Sequence, residues 1–115
     1  MNTRLKGASG EDLACKYLEN SGYEILERNK HYSRFCEIDI IAKEKDTVVF
    51  VEVKARKTDA FGTPQEAVTK TKYQNIKKGV SFYLAENNVK KFRIDVVAIT
   101  YQPELKIEHL KNVFL

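Results

Sequence analysis

The chain has 115 residues, the size of one domain and short of two, so a single unit spanning 1–115 is expected. Hydrophobic residues at 43% and charged residues at 31% permit a core and exclude a disordered chain, while the longest apolar runs, such as Val48 to Val51 and Val96 to Ile99, exclude a membrane helix. Twenty Lys+Arg against sixteen Asp+Glu leave a net charge of +4, which suits a polyanionic partner and equally a solvated lysine-rich surface.

Met1-Asn2-Thr3-Arg4-Leu5-Lys6-Gly7 carries no apolar stretch of the signal-peptide kind, so the cytoplasm is the expected compartment. Ser9 followed by Asp12 resembles a capping box, and Leu13, Ala14, Tyr17 and Leu18 repeat at helical spacing up to Gly22, predicting a first helix. Tyr23 to Lys30, Phe35 to Lys43 and Thr47 to Arg56 have strand composition, and their short connections favour antiparallel neighbours. Thr63-Pro64-Gln65-Glu66 reads as the start of a second helix, with Val68, Ile76, Val80 and Leu84 as its apolar stripe and Asn87-Asn88 as its stop. Phe92 to Thr100 and, more weakly, Ile107 to Phe114 complete the order α-β-β-β-α-β-β, an α/β fold with helices packed on a mixed sheet. Cys15 and Cys36 lack CxxC or Cys/His company, so reduced thiols are expected and a structural zinc site is not.

Side chains alternate along a strand, which puts Glu52, Lys54 and Arg56 on one face and Val49, Val51 and Val53 on the other. In the preceding strand Glu37, Asp39 and Ile41 share a face, opposite Ile38, Ile40 and Ala42. If Lys45-Asp46 forms the tight turn, Asp39 falls opposite Glu52 and Glu37 opposite Lys54; a slip of two residues would keep the polar sets on one face. Like charges so placed are destabilising, and a divalent cation supplies a reason for them, since Mg²⁺ takes one or two carboxylates plus water and phosphate oxygens. Lys54 would then neutralise a phosphate or position an attacking water. The duller account is a surface ladder in which Glu37 pairs with Lys54 and Glu52 with Arg56 or Lys54.

Asp39, twelve intervening residues, then Glu52-Val53-Lys54 resembles the D…(D/E)xK signature of restriction-endonuclease-like nucleases. The same spelling occurs at Asp95 with Glu104-Leu105-Lys106, but Pro103 places that copy in a turn outside a buried strand. Over nearly the whole chain, Gly7-x-x-Gly10-Glu11, Ala14, Tyr17-Leu18, Gly22-Tyr23, Glu37-Ile38-Asp39, Val51-Glu52-Val53-Lys54-x-Arg56, Phe61-Gly62 and Arg93-x-Asp95 resemble the YraN-like family of uncharacterised bacterial proteins. That resemblance implies a restriction-endonuclease-like fold related to Holliday-junction resolvases. It implies a nuclease site with Asp39 and Glu52 as metal ligands, the Val53 carbonyl as a backbone ligand and Lys54 as the catalytic lysine. Two positions depart from the pattern: Ile38 stands where many such nucleases have proline, and Cys36 where the family usually has glycine, adding a side chain at an edge where a partner would approach.

Glu11 borders the buried face of the first helix and is a further metal-ligand candidate, although a glutamate in a first turn also suits the helix dipole. Arg28, Lys30, His31 and Arg34 are expected around one hairpin tip, and Lys70, Lys72, Lys77 and Lys78 on one helix. From these sets and the site's surroundings, Arg28, Lys30, Arg34, Arg56, Gln65 and Lys72 are the candidate nucleic-acid contacts; a snorkelling stem also accounts for Lys72. His109 is expected to be structural, with no partner identifiable from the sequence. The reading is a nuclease that hydrolyses phosphodiester bonds with Mg²⁺ or Mn²⁺, with DNA the expected partner, RNA left open, and monomer and homodimer both allowed. Its alternative is a non-catalytic nucleic-acid or protein-binding module on the same fold.

Overall fold

The computed structural model describes residues 3–34, 36–58, 60, 62 and 68–113, with side chains described from Gly10 onward. Elements follow the expected order: α1 (Thr3–Asn20), β1 (Glu24–Ser33), β2 (Cys36–Glu44), β3 (Thr47–Arg56), α2 (Lys70–Glu86), β4 (Lys91–Thr100) and β5 (Lys106–Leu110). The five strands lie in the sheet in chain order. All neighbours are antiparallel except β3 and β4, which run parallel. A parallel pair needs a crossover, and α2 supplies it.

The two helices pack on opposite faces, because alternate strand residues feed two apolar clusters. Ala14, Cys15 and Leu18 of α1 meet Ile40, Ala42, Val49, Val51, Val97 and Ile99. Tyr73, Ile76, Val80 and Tyr83 of α2 meet Ile38, Ile41, Val48, Phe50, Ile94 and Val96. Cys15 and Cys36 are both free and buried, so the Cys36 side chain points inward and does not reach a partner at the sheet edge.

Several boundaries move. Helix α1 runs through Ser9, which therefore does not cap it, but its end is as expected: Gly22 has φ 94° and the Tyr23 amide closes back on the Leu18 carbonyl at 2.9 Å. Helix α2 begins at Lys70 because Thr69 caps it, its hydroxyl accepting from the Lys72 amide at 3.1 Å. Thr63 to Glu66 lie outside the described residues, and Val68 is buried ahead of the helix. Asn87 ends α2 by donating from Nδ2 to the Tyr83 carbonyl at 3.0 Å. Strand β5 stops at Leu110, short of Phe114, which lies outside the described residues.

At Gly10, α1 passes close to the sheet. A Cβ there would lie 3.0 Å from the Ala55 Cβ and 3.5 Å from the Tyr101 hydroxyl oxygen. Both Cβ atoms are fixed to backbone, so only a shift of the helix relieves the contact. Gly10→Ala gains helix propensity of up to ~1 kcal/mol, against an overpacking cost of roughly 1 to 3 kcal/mol. A lower melting temperature in a thermal scan is the expected outcome; an unchanged one would show that α1 slides freely on β3.

Candidate active site at the parting of two strands

The Lys45-Asp46 turn forms as expected, Lys45 taking the positive φ of 55° that a two-residue hairpin turn wants at its first central position. It fixes the register Glu44↔Thr47 through Ile40↔Val51, and there the pairing ends. The next residue on each side is Asp39 and Glu52. They are thus brought together, yet at a fork where β2 and β3 part, not as a ladder pair. Past the fork β3 needs a partner for its exposed backbone, and Asp39 Oδ2 accepts from the Val53 amide at 2.8 Å. The parting also breaks the alternation of β2: Ile38 joins Ile41 in the cluster under α2 instead of siding with Ile40 and Ala42.

The fork opens into a cleft of about 320 Å³ lined by Arg34, Glu37, Asp39, Glu52, Thr69, Thr71, Lys72, Asn75 and Ile76. Glu52 is only 4% exposed. Burial and the nearby Asp39 charge push its carboxyl up to about 7, against the pull of the Lys72 and Lys54 cations. Burial also raises Asp39, offset in part by the Val53 amide. Lys72 reaches across from α2 to place Nζ 2.8 Å from Glu52 Oε1. Burial works against its charge, but hydrogen bonds to Glu52 and Lys54 outweigh that and hold it protonated above the ordinary lysine range. Lys54 moves the other way, lowered by burial and by the adjoining Lys72. Asp39 of β2, one face of β3 and the first turn of α2 therefore bring together two carboxylates and two lysines of opposite tendency.

The surface ladder does not form. Glu37 lies 3.6 Å from His31 Nε2, and Glu52 pairs with Lys72. Arg56 donates from Nη1 to the Gly62 carbonyl at 2.6 Å and from Nε to the Thr100 hydroxyl at 3.4 Å, so it braces a loop. Arg28 sits well inside β1 and not at a hairpin tip, tied to Asp12 at 2.8 Å and to Glu11 at 3.5 Å. Glu11 is thereby held on α1, on the other face of the sheet from α2, and is not among the cleft's lining residues. Lys30 pairs with Glu27 at 3.5 Å, Arg34 lines the cleft, and Gln65 lies outside the described residues. Lys70, Lys72, Lys77 and Lys78 do share one helix, α2. Thr69, Thr71 and Asn75, which sequence reasoning passed over, line the cleft because α2 starts there; the cap residue Thr69 was the available signal.

The profile of the uncharacterised protein family UPF0102 matches residues 10–99. The chain belongs to UPF0102. UPF0102 proteins from Syntrophus aciditrophicus and Persephonella marina are 48% and 44% identical to it, covering 94% and 96% of this chain and 87% and 93% of their own length. One from Syntrophomonas wolfei is 44% identical over 99% of this chain and all of its own. The resemblance to an uncharacterised family is thus borne out at that level, and the site described above falls wholly within the UPF0102 match. Among the described residues no helix is long and apolar enough to cross a membrane. Nor, among them, do three or more His, Cys, Asp or Glu side chains converge as an all-protein metal cage would require. Two carboxylates beside a backbone strand do fit the sparser protein contribution that Mg²⁺ accepts when water and phosphate oxygens complete its shell.

Proposed function

We propose that this UPF0102 chain is a metal-dependent nuclease acting on DNA, with Asp39, Glu52 and Lys54 as its catalytic residues. The observation that supports it is the pair of carboxylates first past the β2–β3 fork, Glu52 buried and Asp39 half-buried at the mouth of an open cleft with a depressed lysine beside them. A fold has little use for such a pair, since each raises the cost of ionising the other. Asp39, Glu52 and the Val53 backbone would hold Mg²⁺ or Mn²⁺, which when bound polarises a phosphoryl oxygen and acidifies water. Lys54, its charge disfavoured by burial and by the adjoining Lys72, positions the attacking water. Lys72 and the amino-terminal end of α2 face the same cleft and neutralise the phosphate as it enters. Lys72 must leave Glu52 for this, moving its charge from carboxylate to substrate.

The ion pair Lys72–Glu52 also favours a second reading, in which Lys72 permanently neutralises the site and the fold only binds nucleic acid or protein. Calorimetric titration with Mn²⁺, followed by cleavage assays on duplex, single-stranded and four-way-junction DNA and on RNA, separates them. Expected are Mn²⁺ binding that Asp39→Asn removes, and cleavage that EDTA or Asp39→Asn reduces to background. Cleavage surviving in Asp39→Asn would place the chemistry elsewhere, and absence of both binding and cleavage would favour the binding module.

A further inference from the structure

Beyond the cleft, α2 carries an aromatic surface that the catalytic reading does not use. Thr71, Asn75, Lys78 and Phe82 are spaced 4, 3 and 4 residues apart and so form one line on the helix. Thr71 and Asn75 line the cleft, and Lys78 is exposed. Phe82, 11 residues and about 16 Å beyond Thr71, leaves 48% of its surface in solvent. Its ring stacks on Tyr32 of β1 with centroids 5.3 Å apart and planes 20° from parallel. Lys30 lies over the same Tyr32 ring, Nζ 5.4 Å from the centroid. Tyr32 itself is wedged against α2, 3.8 Å from where a Gly79 Cβ would stand, next to Ile38. Tyr32 thus backs one face of Phe82.

A rigid, half-exposed phenyl ring flanked by lysines and in line with a phosphate-binding cleft matches what binds unpaired bases: stacking on an aromatic face plus cations for the adjoining backbone. A base in a duplex offers no free face to such a ring. We propose that Phe82, supported by Tyr32, is a stacking platform for one unpaired nucleobase of a single-stranded segment whose phosphates run past Lys78 and Lys30 toward Asp39 and Glu52. This rests on the nucleic-acid reading above and narrows its substrate to strands with an unpaired stretch a few nucleotides from the scissile bond. The Glu27–Lys30 contact on β1 is open to exchange for a phosphate, both side chains being partly exposed.

The chain contains no tryptophan, so Phe82→Trp introduces a single fluorescent reporter at the platform. Binding of an end-labelled ten-residue oligothymidylate and of a twenty-base-pair duplex is measured by anisotropy for wild type, Phe82→Ala and Phe82→Trp, each checked by size-exclusion chromatography with light scattering. Expected are about tenfold weaker oligothymidylate binding by Phe82→Ala, unchanged duplex binding, and wild-type affinity with quenched emission for Phe82→Trp. Equal losses on both ligands, no loss on either, or an unquenched Phe82→Trp would overturn the platform. So would a wild-type dimer that Phe82→Ala turns into a monomer, since the ring would then belong to a contact between copies. A Phe82-dependent oligothymidylate complex that Mn²⁺ never cleaves would leave the platform standing and remove only the catalytic reading. Cleavage by wild type and Phe82→Ala at equal rates on every substrate would do the reverse.

Discussion

Exchanging Asp95 for asparagine is expected to lower the melting temperature by at least about 10 °C. Asp95 is wholly buried, yet its carboxylate accepts from Arg93 Nε at 3.0 and 3.2 Å, from the Asn112 amide at 2.9 Å and from His109 Nε2 at 2.7 Å. Arg93 goes on to Glu44 at 3.2 Å and to the Tyr23 hydroxyl at 2.6 Å, and His109 Nδ1 meets the Tyr17 hydroxyl at 3.1 Å. An ionised carboxylate only accepts, so Nε2 carries a proton, and a ring protonated there alone takes the Tyr17 O–H at Nδ1. This network clasps α1, β2, β4, β5 and the turn that leads into β1 together from one atom group. Asparagine keeps the shape but presents an NH₂ to donors at a wholly buried position and leaves Glu44 as the one carboxylate still facing Arg93. Breaking such a pair costs about 3 to 5 kcal/mol, and each kilocalorie moves a domain of this size by several degrees.

The acid limb provides the check. Burial alone would raise the Asp95 carboxyl, but His109, the Asn112 amide and Arg93 together hold it below its ordinary 3.8. The unfolded chain then binds the proton first as pH falls, so the stabilisation is present above 3.8 and disappears as pH drops through the lower folded value. The difference in stability between wild type and Asp95→Asn, measured by denaturant unfolding, is expected to shrink below pH 3.8. A difference of under 1 kcal/mol at pH 7 would mean the network is ornamental.

Glu52 predicts the opposite slope. Its folded carboxyl titrates near 7 against an ordinary 4.5, so the folded chain keeps a proton that the unfolded chain has already released. Stability from this group is full below 4.5 and is lost as pH rises through about 7, by on the order of 3 kcal/mol. Asp39→Asn retains an acceptor for the Val53 amide while deleting the charge that lifts Glu52. In EDTA at pH 8 it is expected to raise the melting temperature by about 3 to 6 °C and to flatten the slope between pH 5 and 8. Millimolar Mn²⁺, at about a hundredfold over its dissociation constant, would stabilise wild type by about 2.7 kcal/mol and the variant by far less. Scanning calorimetry decides: a lower melting temperature for Asp39→Asn in EDTA together with equal responses to Mn²⁺ contradicts the metal site.

Much of this was legible in the residues. Alternation places β2 and β3, and the Lys45-Asp46 turn sets their register, which puts Asp39 and Glu52 side by side from the sequence alone. What local pattern cannot encode is where pairing stops, so the fork and the crossing of Ile38 to the α2 side went unforeseen. The Thr63-Pro64-Gln65-Glu66 pattern draws the predicted start of α2 upstream, whereas the cap that begins the helix is Thr69. Arg93 and Asp95 lie two apart on one strand face, but Tyr17 and His109 join them from opposite ends of the chain. That is why His109 looked partnerless and Asp95 looked like a chance spelling.

The outer strands have a consequence for company. β1 borders the sheet over ten residues, but its register shifts between Ile25 and Glu27 and again between His31 and Ser33, and Glu24, Glu27, Arg28, Lys30 and His31 charge or polarise its length. β5 on the far border is only five residues long. Irregular, charged or short borders make poor templates for another strand, so the sheet resists growing sideways into aggregates despite its exposed backbone. The flanks are thereby closed to a visiting strand, and the cleft where β2 and β3 separate lies at the strand ends, away from both borders.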